Sequence, residues 1–409
     1  MKLATRGRRK AASTLFPGNY LVFRNLALQV PNNGVQVAPL ANSLDNKIRR
    51  MLIPWLKREA RNKPEWHEFK NIDKDGIELV EPIGITGNVK PTSWWCTNSA
   101  CNKFFYGSFR QVGIVSAKCP DCKERRLVQF ASVFICPTCH AIEPIQSVKC
   151  PECKDSRSVI LTGKGGRRVS YRWKCTRHPA FELWVGKNCL RDQTRMVLKS
   201  VGGRIYHPET WSYVTPEIIN SLQPQIRGPI RFAPSRATVI DVTIGRVPIA
   251  SPDAYYRGNE LSFKEPFVNP NTGRYIGLVS WIETDAITIS HNKETKLDDL
   301  TLHSLEHVLL NAAPAVTGLT QDEFGSDLNA DTGELVIYDN VFGGSGGCRL
   351  LVDRRLDRWV QVVRELAECH QVQCDSACRG CLFLPSRLCR RINHDLDRHT
   401  VLNLIASPP

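Results

Sequence analysis

Residues 94–153 carry four short cysteine turns, WWCTNSAC (94–101), KCPDC (118–122), ICPTC (135–139) and KCPEC (149–153), and their spacing decides how this part of the chain folds. A Cys-x2-Cys turn places two thiolates side by side, and two such turns brought face to face complete a tetrahedral sulfur shell around one zinc ion. Cys96 and Cys101 are followed after seventeen residues by Cys119 and Cys122, the separation of a zinc ribbon. Cys136 and Cys139 with Cys150 and Cys153 form a second, closer set, although the spacing also allows Cys119 and Cys122 to join Cys136 and Cys139. With four ligands filled, such sites are structural and leave no position for an activated water. Dithiol redox cycling is the competing use of Cys-x2-Cys, but four pairs in series outside a thioredoxin-like βαβ context argue against it. Cys175 and His178 could form half of another site with Cys189, one ligand short of a full set, and read equally well as a buried thiol beside a surface histidine.

The 409 residues bound the rest. They suffice for about three domains of roughly 100–200 residues each, and 42% hydrophobic with 23% charged residues is an ordinary globular balance. No apolar run reaches the roughly 18 residues of a bilayer span. The N-terminus MKLATRGRRKAAS is basic but is followed by LFPGNYLVFRN rather than an apolar signal core, so a cytoplasmic location is expected and no membrane partner. Twelve of the sixteen cysteines fall into tight groups, and without a signal peptide such groups mean metal rather than disulfides.

A net charge of +15 favours a polyanionic partner, DNA foremost. Residues 1–62 alone hold twelve Lys or Arg against two acids. Lys2, Arg6, Arg8, Arg9, Lys10, Arg49 and Arg50 are the candidate phosphate contacts there, and Lys118, Lys123, Arg125 and Arg126 surround the Cys119/Cys122 turn. Trp94, Trp95, Phe104, Phe105 and Tyr106 interleave with these charges, either to stack on unpaired bases or to fill a small core.

The C-terminal cysteines have another form: Cys374, Cys378, Cys381 and Cys389 lie within sixteen residues, so one short segment can wrap one metal. Gly380 permits the turn between Cys378 and Cys381, and Cys369 or His370 could substitute for one ligand. Ahead of them come WIETDAITIS (281–290), the helical DLTLHSLEHVLLNAAPAV (299–316) and GELVIYDNVFGGSGG (333–347). In this order the blocks resemble the zinc-binding C-terminal domain of MrfA-like DNA-repair helicases, a domain also found in DrmB, the helicase-associated protein of the DISARM antiphage system. The resemblance covers residues 275–405. It implies that Cys374, Cys378, Cys381 and Cys389 are zinc ligands, and that the protein is a non-catalytic accessory subunit that binds DNA beside a helicase in antiphage defence.

The expected fold class is α+β, with four regions: a basic N-terminal region (1–92) containing an amphipathic helix over 43–62, a tandem zinc-ribbon domain (93–190), a mixed connecting region (191–274), and a mixed α/β domain with a four-cysteine zinc site (275–409). Residues 236–250 and 274–290 alternate as strands, 297–313 read as a helix, a long helix follows over about 347–370, and a last one begins near 390. A short helix is expected within 191–235. The cysteine sets add up to about three structural zinc sites.

An ATP motor would need G-x-x-x-x-G-K-[ST], which is absent; LTGKGGRR (161–168) puts its lysine before the glycine pair and lacks the following Ser or Thr. His303 and His307 share one helix face, and with Asp339 and the glycine turn they form the one alternative, a metal-dependent nuclease or hydrolase. A purely architectural, protein-binding subunit is the third reading.

Overall fold

Alternation of apolar and polar residues over two long segments builds the centre of the molecule. In the computed structural model, Ile230–Pro248 and Tyr275–His291 run antiparallel, in register from Ile230 opposite His291 to Thr243 opposite Leu278. The structure describes residues 2–4, 16–23, 26–31, 33–62, 64–107, 117–139, 141–146, 148–156, 158–163, 171–200, 206–248, 265–292, 296–329, 332–341, 343–378, 380–384 and 395–406. Arg6, Arg8, Arg9, Lys10 and Cys389 lie outside the described residues.

The two long strands anchor a ten-stranded sheet. Tyr206–Ile218 pairs with the far edge of Ile230–Pro248, with a register shift at Glu209/Thr210. On its other edge, Tyr275–His291 has two different neighbours along its length. Ile77–Thr86 lies parallel to its first half, and Glu334–Asp339 lies antiparallel to its second. Lys2–Ala4 and Val35–Pro39 join Ile77–Thr86, while Phe324–Asn329 joins Glu334–Asp339. The sheet therefore draws strands from residues 1–92, 191–274 and 275–409 alike.

Because successive side chains point to opposite faces, each stretch of this spine carries two cores. Ile230, Phe232, Ile287 and Ile289 pack with the helix Asp299–Thr317, and Ile240, Val242, Ile244 and Val279 pack with the helix Asn42–Asn62. Val239, Ile282, Ala286 and Tyr338 form a cluster with the alternate residues. The N-terminal helix buries Ile48, Leu52, Leu56 and Ala60 at four-residue intervals and continues through the exposed Pro54. Asp298 caps the later helix by accepting from Thr301 N–H at 2.9 Å, and Gly318 ends it in the left-handed conformation.

Two expectations fail. The helix expected over 347–370 is two helices, Gly347–Arg354 and Leu356–Glu368, because Arg355 leaves helical geometry at φ −130°, ψ 9°. Among the described residues of 191–235 there is no helix; Tyr206–Ile218 instead satisfies its backbone along the open edge of the sheet. The helix expected near 390 is seen at Arg398–Ala406, residues 385–394 being outside the described ones.

Between Ser93 and Ser200 the sheets are small. Ser93–Cys96 pairs with Phe104–Tyr106 and Leu127–Gln129; Ser132–Ile135 with Ile142–Pro144 and Val197–Ser200; Val159–Thr162 with Arg172–Cys175, which pairs in turn with Glu182–Trp184.

Trp359, fully buried in the C-terminal core with its indole N–H donating to Leu309 O at 3.1 Å, ties the helix Leu356–Glu368 to Asp299–Thr317. Trp359→Ala is expected to lower stability by about 3–5 kcal/mol, read as a shifted midpoint in urea denaturation.

Candidate metal centres

Each cysteine turn closes locally before any metal is considered. Cys119 N–H donates to Glu124 O and Lys123 N–H to Cys119 O, at 2.8 and 3.0 Å. Lys123, immediately after the second cysteine, is forced to φ +62°. The same left-handed position recurs at Asn102 after Cys101 and at Lys154 after Cys153. It also recurs at Gln193, which follows Asp192 rather than a cysteine, and there Cys189 N–H donates to Thr194 O and Gln193 N–H to Cys189 O. Cys189-Leu-Arg-Asp192 is thus a cysteine turn whose second ligand position holds a carboxylate.

Four tetrads result, their ligand atoms within 4.8 Å of one another: Cys96, Cys101, Cys119, Cys122; Cys136, Cys139, Cys189, Asp192; Cys150, Cys153, Cys175, His178; and Cys369, Cys374, Cys378, Cys381. A tetrahedron with metal–sulfur arms of about 2.3 Å has edges of about 3.8 Å. The sulfurs match this: Cys96–Cys122 are 3.6 Å apart, Cys101–Cys119 and Cys153–Cys175 3.8 Å, Cys374–Cys381 3.7 Å. Disulfides would require about 2.05 Å. The donor sets, four thiolates in two tetrads and three thiolates with one imidazole or one carboxylate in the other two, are those zinc takes, and the described residues hold several such sites.

The first tetrad forms as the spacing suggests. The second set does not: Cys136/Cys139 and Cys150/Cys153 belong to different tetrads, each completed from residues 175–192. The reason is topological. Antiparallel pairing brings Cys175 opposite Val159, and Ser132–Ile135 beside Val197–Ser200, so each turn meets a later segment. Cys175, His178 and Cys189, which looked too few for one site, serve two. In the C-terminal loop the fourth sulfur is that of Cys369, 3.6 Å from Cys378.

The surroundings divide the ligands: backbone N–H groups favour ionisation of some, while burial holds others, Cys96 and Cys139 among them, in the protonated form until a metal binds. The Glu124 N–H beside Cys122 lowers its thiol to about 7, and the Thr194 N–H holds Asp192 at about 2. His178 turns Nδ1 toward Cys150 and Cys175 at 3.5 and 3.7 Å while Nε2 faces Glu152 at 3.5 Å, a carboxylate that fixes the ring for ligation. Burial pushes Cys381 up to about 12, so without a metal it keeps its proton. Gripping this loop from outside, His307 Nδ1 lies 2.8 Å from Leu382 O, and Asn311 Nδ2 donates to Cys381 O at 2.8 Å. One turn apart on the helix, these two side chains hold two consecutive carbonyls.

The other candidate residues separate clearly. Lys118, Lys123, Arg125 and Arg126 are exposed around the Cys119/Cys122 turn, with Arg126 3.2 Å from Glu124. Arg50 is exposed, whereas Arg49 is engaged internally, paired with Asp45 at 2.6 Å and donating to the Lys74 and Ile77 carbonyls. Lys2 lies in a strand of the large sheet. Trp94 and Phe104 are buried core residues and cannot stack on a base; Tyr106 is half exposed. Asp339 accepts from Gly347 and Cys348 N–H at 3.1 and 2.9 Å, fixing the start of a helix, and does not join His303 and His307. The hydrolase constellation is therefore not assembled.

Acidification is expected to release metal as protons compete for the thiolates, with loss of near-ultraviolet dichroism from Trp94 and Trp173. Asp192→Ala should release one metal equivalent to a chelator ahead of the others, and Asp192→Cys should restore its retention, followed with a colorimetric zinc indicator.

Residues 305–382 match the family of the MrfA zinc-binding domain (MZB), a span that includes Cys369, Cys374, Cys378 and Cys381. Solved structures of the DUF1998 helicase MrfA are similar to parts of the chain. The DNA-bound form has 14% identity, covering 56% of this chain and 29% of that one, at a TM-score of 0.33. The form without DNA has 13% identity, covering 51% and 27%, at 0.29. The form with DNA and AMPPNP has 16% identity, covering 56% and 26%, at 0.23. The chain thus spans under a third of the length of these helicases, and no curated protein matches it. Its C-terminal part is similar to the zinc-binding domain of MrfA over residues 305–382, with four sulfurs of that stretch gathered at one point.

Proposed function

We propose that this chain is a non-catalytic, zinc-stabilised accessory protein that associates with a helicase and contacts DNA. The match of residues 305–382 to the MrfA zinc-binding domain carries the reading. Nucleoside-triphosphate hydrolysis would come from the partner, since the chain has no phosphate-binding G-x-x-x-x-G-K-[ST] sequence. Resemblance of the C-terminal blocks to DrmB extends the proposal to a DISARM-type antiphage system in the bacterial cytoplasm. No helix among the described residues is long and apolar enough to cross a membrane.

For DNA the support is charge and its placement: +15 overall, with Lys118, Lys123, Arg125 and Arg126 exposed on a turn made rigid by its ligands. Such a surface would hold phosphates without reading sequence, with an affinity that falls steeply in salt. Deleting residues 1–62 would be a poor test, because Asn42–Asn62 supplies a core and Lys2–Ala4 pairs in the large sheet. Point substitutions avoid that difficulty.

Fluorescence anisotropy with single-stranded and duplex DNA is expected to show binding that weakens with salt. Lys123→Glu with Arg125→Glu should weaken it further and reduce the salt slope by about 1 per lost phosphate contact. Absence of binding at low salt would turn the proposal to a subunit that contacts protein alone.

A further inference from the structure

A fifth group of metal-ligating side chains lies apart from the tetrads. His303, Glu306 and His307 stand at i, i+3 and i+4 on one helix face, each offering a ligand atom within 4.8 Å of the others. All three are buried, at 2, 7 and 0% exposure, in a helix enclosed by core on nearly every side. Two imidazoles and a carboxylate in such surroundings are costly unless their charges and lone pairs are met.

The hydrogen bonds around the group set its chemistry. Leu382 O can only accept, so His307 Nδ1, 2.8 Å away, must carry the proton, and Nε2 of the neutral ring holds the lone pair. A second-sphere carbonyl on the far nitrogen is the arrangement that orients metal-bound histidines. Glu306 is fixed in the same way, its Oε1 accepting from Ser326 Oγ at 2.5 Å. The two rings cross at 89° with centroids 4.6 Å apart, so they meet edge to face instead of stacking in parallel. His-x-x-Glu-His is also the order in which inverted zinc peptidases present two histidines to zinc. There the glutamate works on a substrate; here the burial of all three side chains gives the group a structural role.

We propose that His303, Glu306 and His307 bind a fifth divalent cation, zinc by donor type, inside the C-terminal core. The cation neutralises the Glu306 carboxylate and polarises His307, strengthening its grip on Leu382 beside the Cys369–Cys381 loop. The inference is independent of any role in DNA binding.

Mass-spectrometric metal analysis of the purified full-length chain is the test. About five equivalents per chain are expected, one for each tetrad and one for the triad. Glu306→Gln and His303→Asn should each lower the count by about one equivalent. Cobalt substitution separates the two kinds of site: in these variants the sulfur-to-cobalt charge-transfer bands should keep their intensity while the spectrum of a sulfur-free cobalt site disappears. A count that does not change in either variant, with no sulfur-free cobalt signal in the parent, would overturn the proposal and leave the triad as a proton-bridged pair. A variant that loses charge-transfer intensity together with its metal would likewise count against a separate site.

Discussion

Metal–thiolate geometry is the constraint on which the middle of this molecule depends. Its sheets have three strands of three or four residues each, too short to stand on their own hydrogen bonds and side-chain contacts. Among the described residues, the core around the first tetrad consists of six buried residues, three of them cysteines. Binding free energy of the metal is then folding free energy. The turns prepare for it: four non-glycine residues at positive φ follow directly on a ligand, because the tight turn leaves that residue no other conformation. This strain is offset only where the ligands are held at one point.

The large sheet obeys a different physics. Two strands of 19 and 17 residues bury alternate side chains on both faces, and helices from opposite ends of the chain cover successive lengths of one face. Residues far apart in sequence thus become one hydrophobic unit. At the C-terminal end this unit is joined to metal chemistry through the helix Asp299–Thr317, which lies in the core and holds the cysteine loop by His307 and Asn311. Packing and ligation there support each other, and the loop's geometry is set by a rigid element rather than by its own short backbone.

Much of this was legible in the residues. Cys-x2-Cys turns are local objects, so the spacing identified thiolate turns, the first tetrad and the metal class. Period-2 alternation gave the two long strands, and acids before an apolar helical stretch marked the start of Asp299–Thr317. The break at Arg355 was not legible, since no proline or glycine marks it. Nor was Asp192 visible as a ligand, although Cys189-x2-Asp192 has the spacing of a cysteine turn with oxygen in place of sulfur.

The sequence by itself determined which residues can bind metal and which short turns present them, because both depend on chemistry within four or five positions. Only the tertiary structure decided which turns share an ion. That choice rests on strand pairing between segments tens of residues apart, which placed Cys175 and His178 with one turn, Cys189 and Asp192 with another, and Cys369 in the C-terminal loop. Burial was decided at the same level. Arg49, Trp94 and Asp339 have side chains suited to contacts with ligands, and the packed chain engages each of them inside itself.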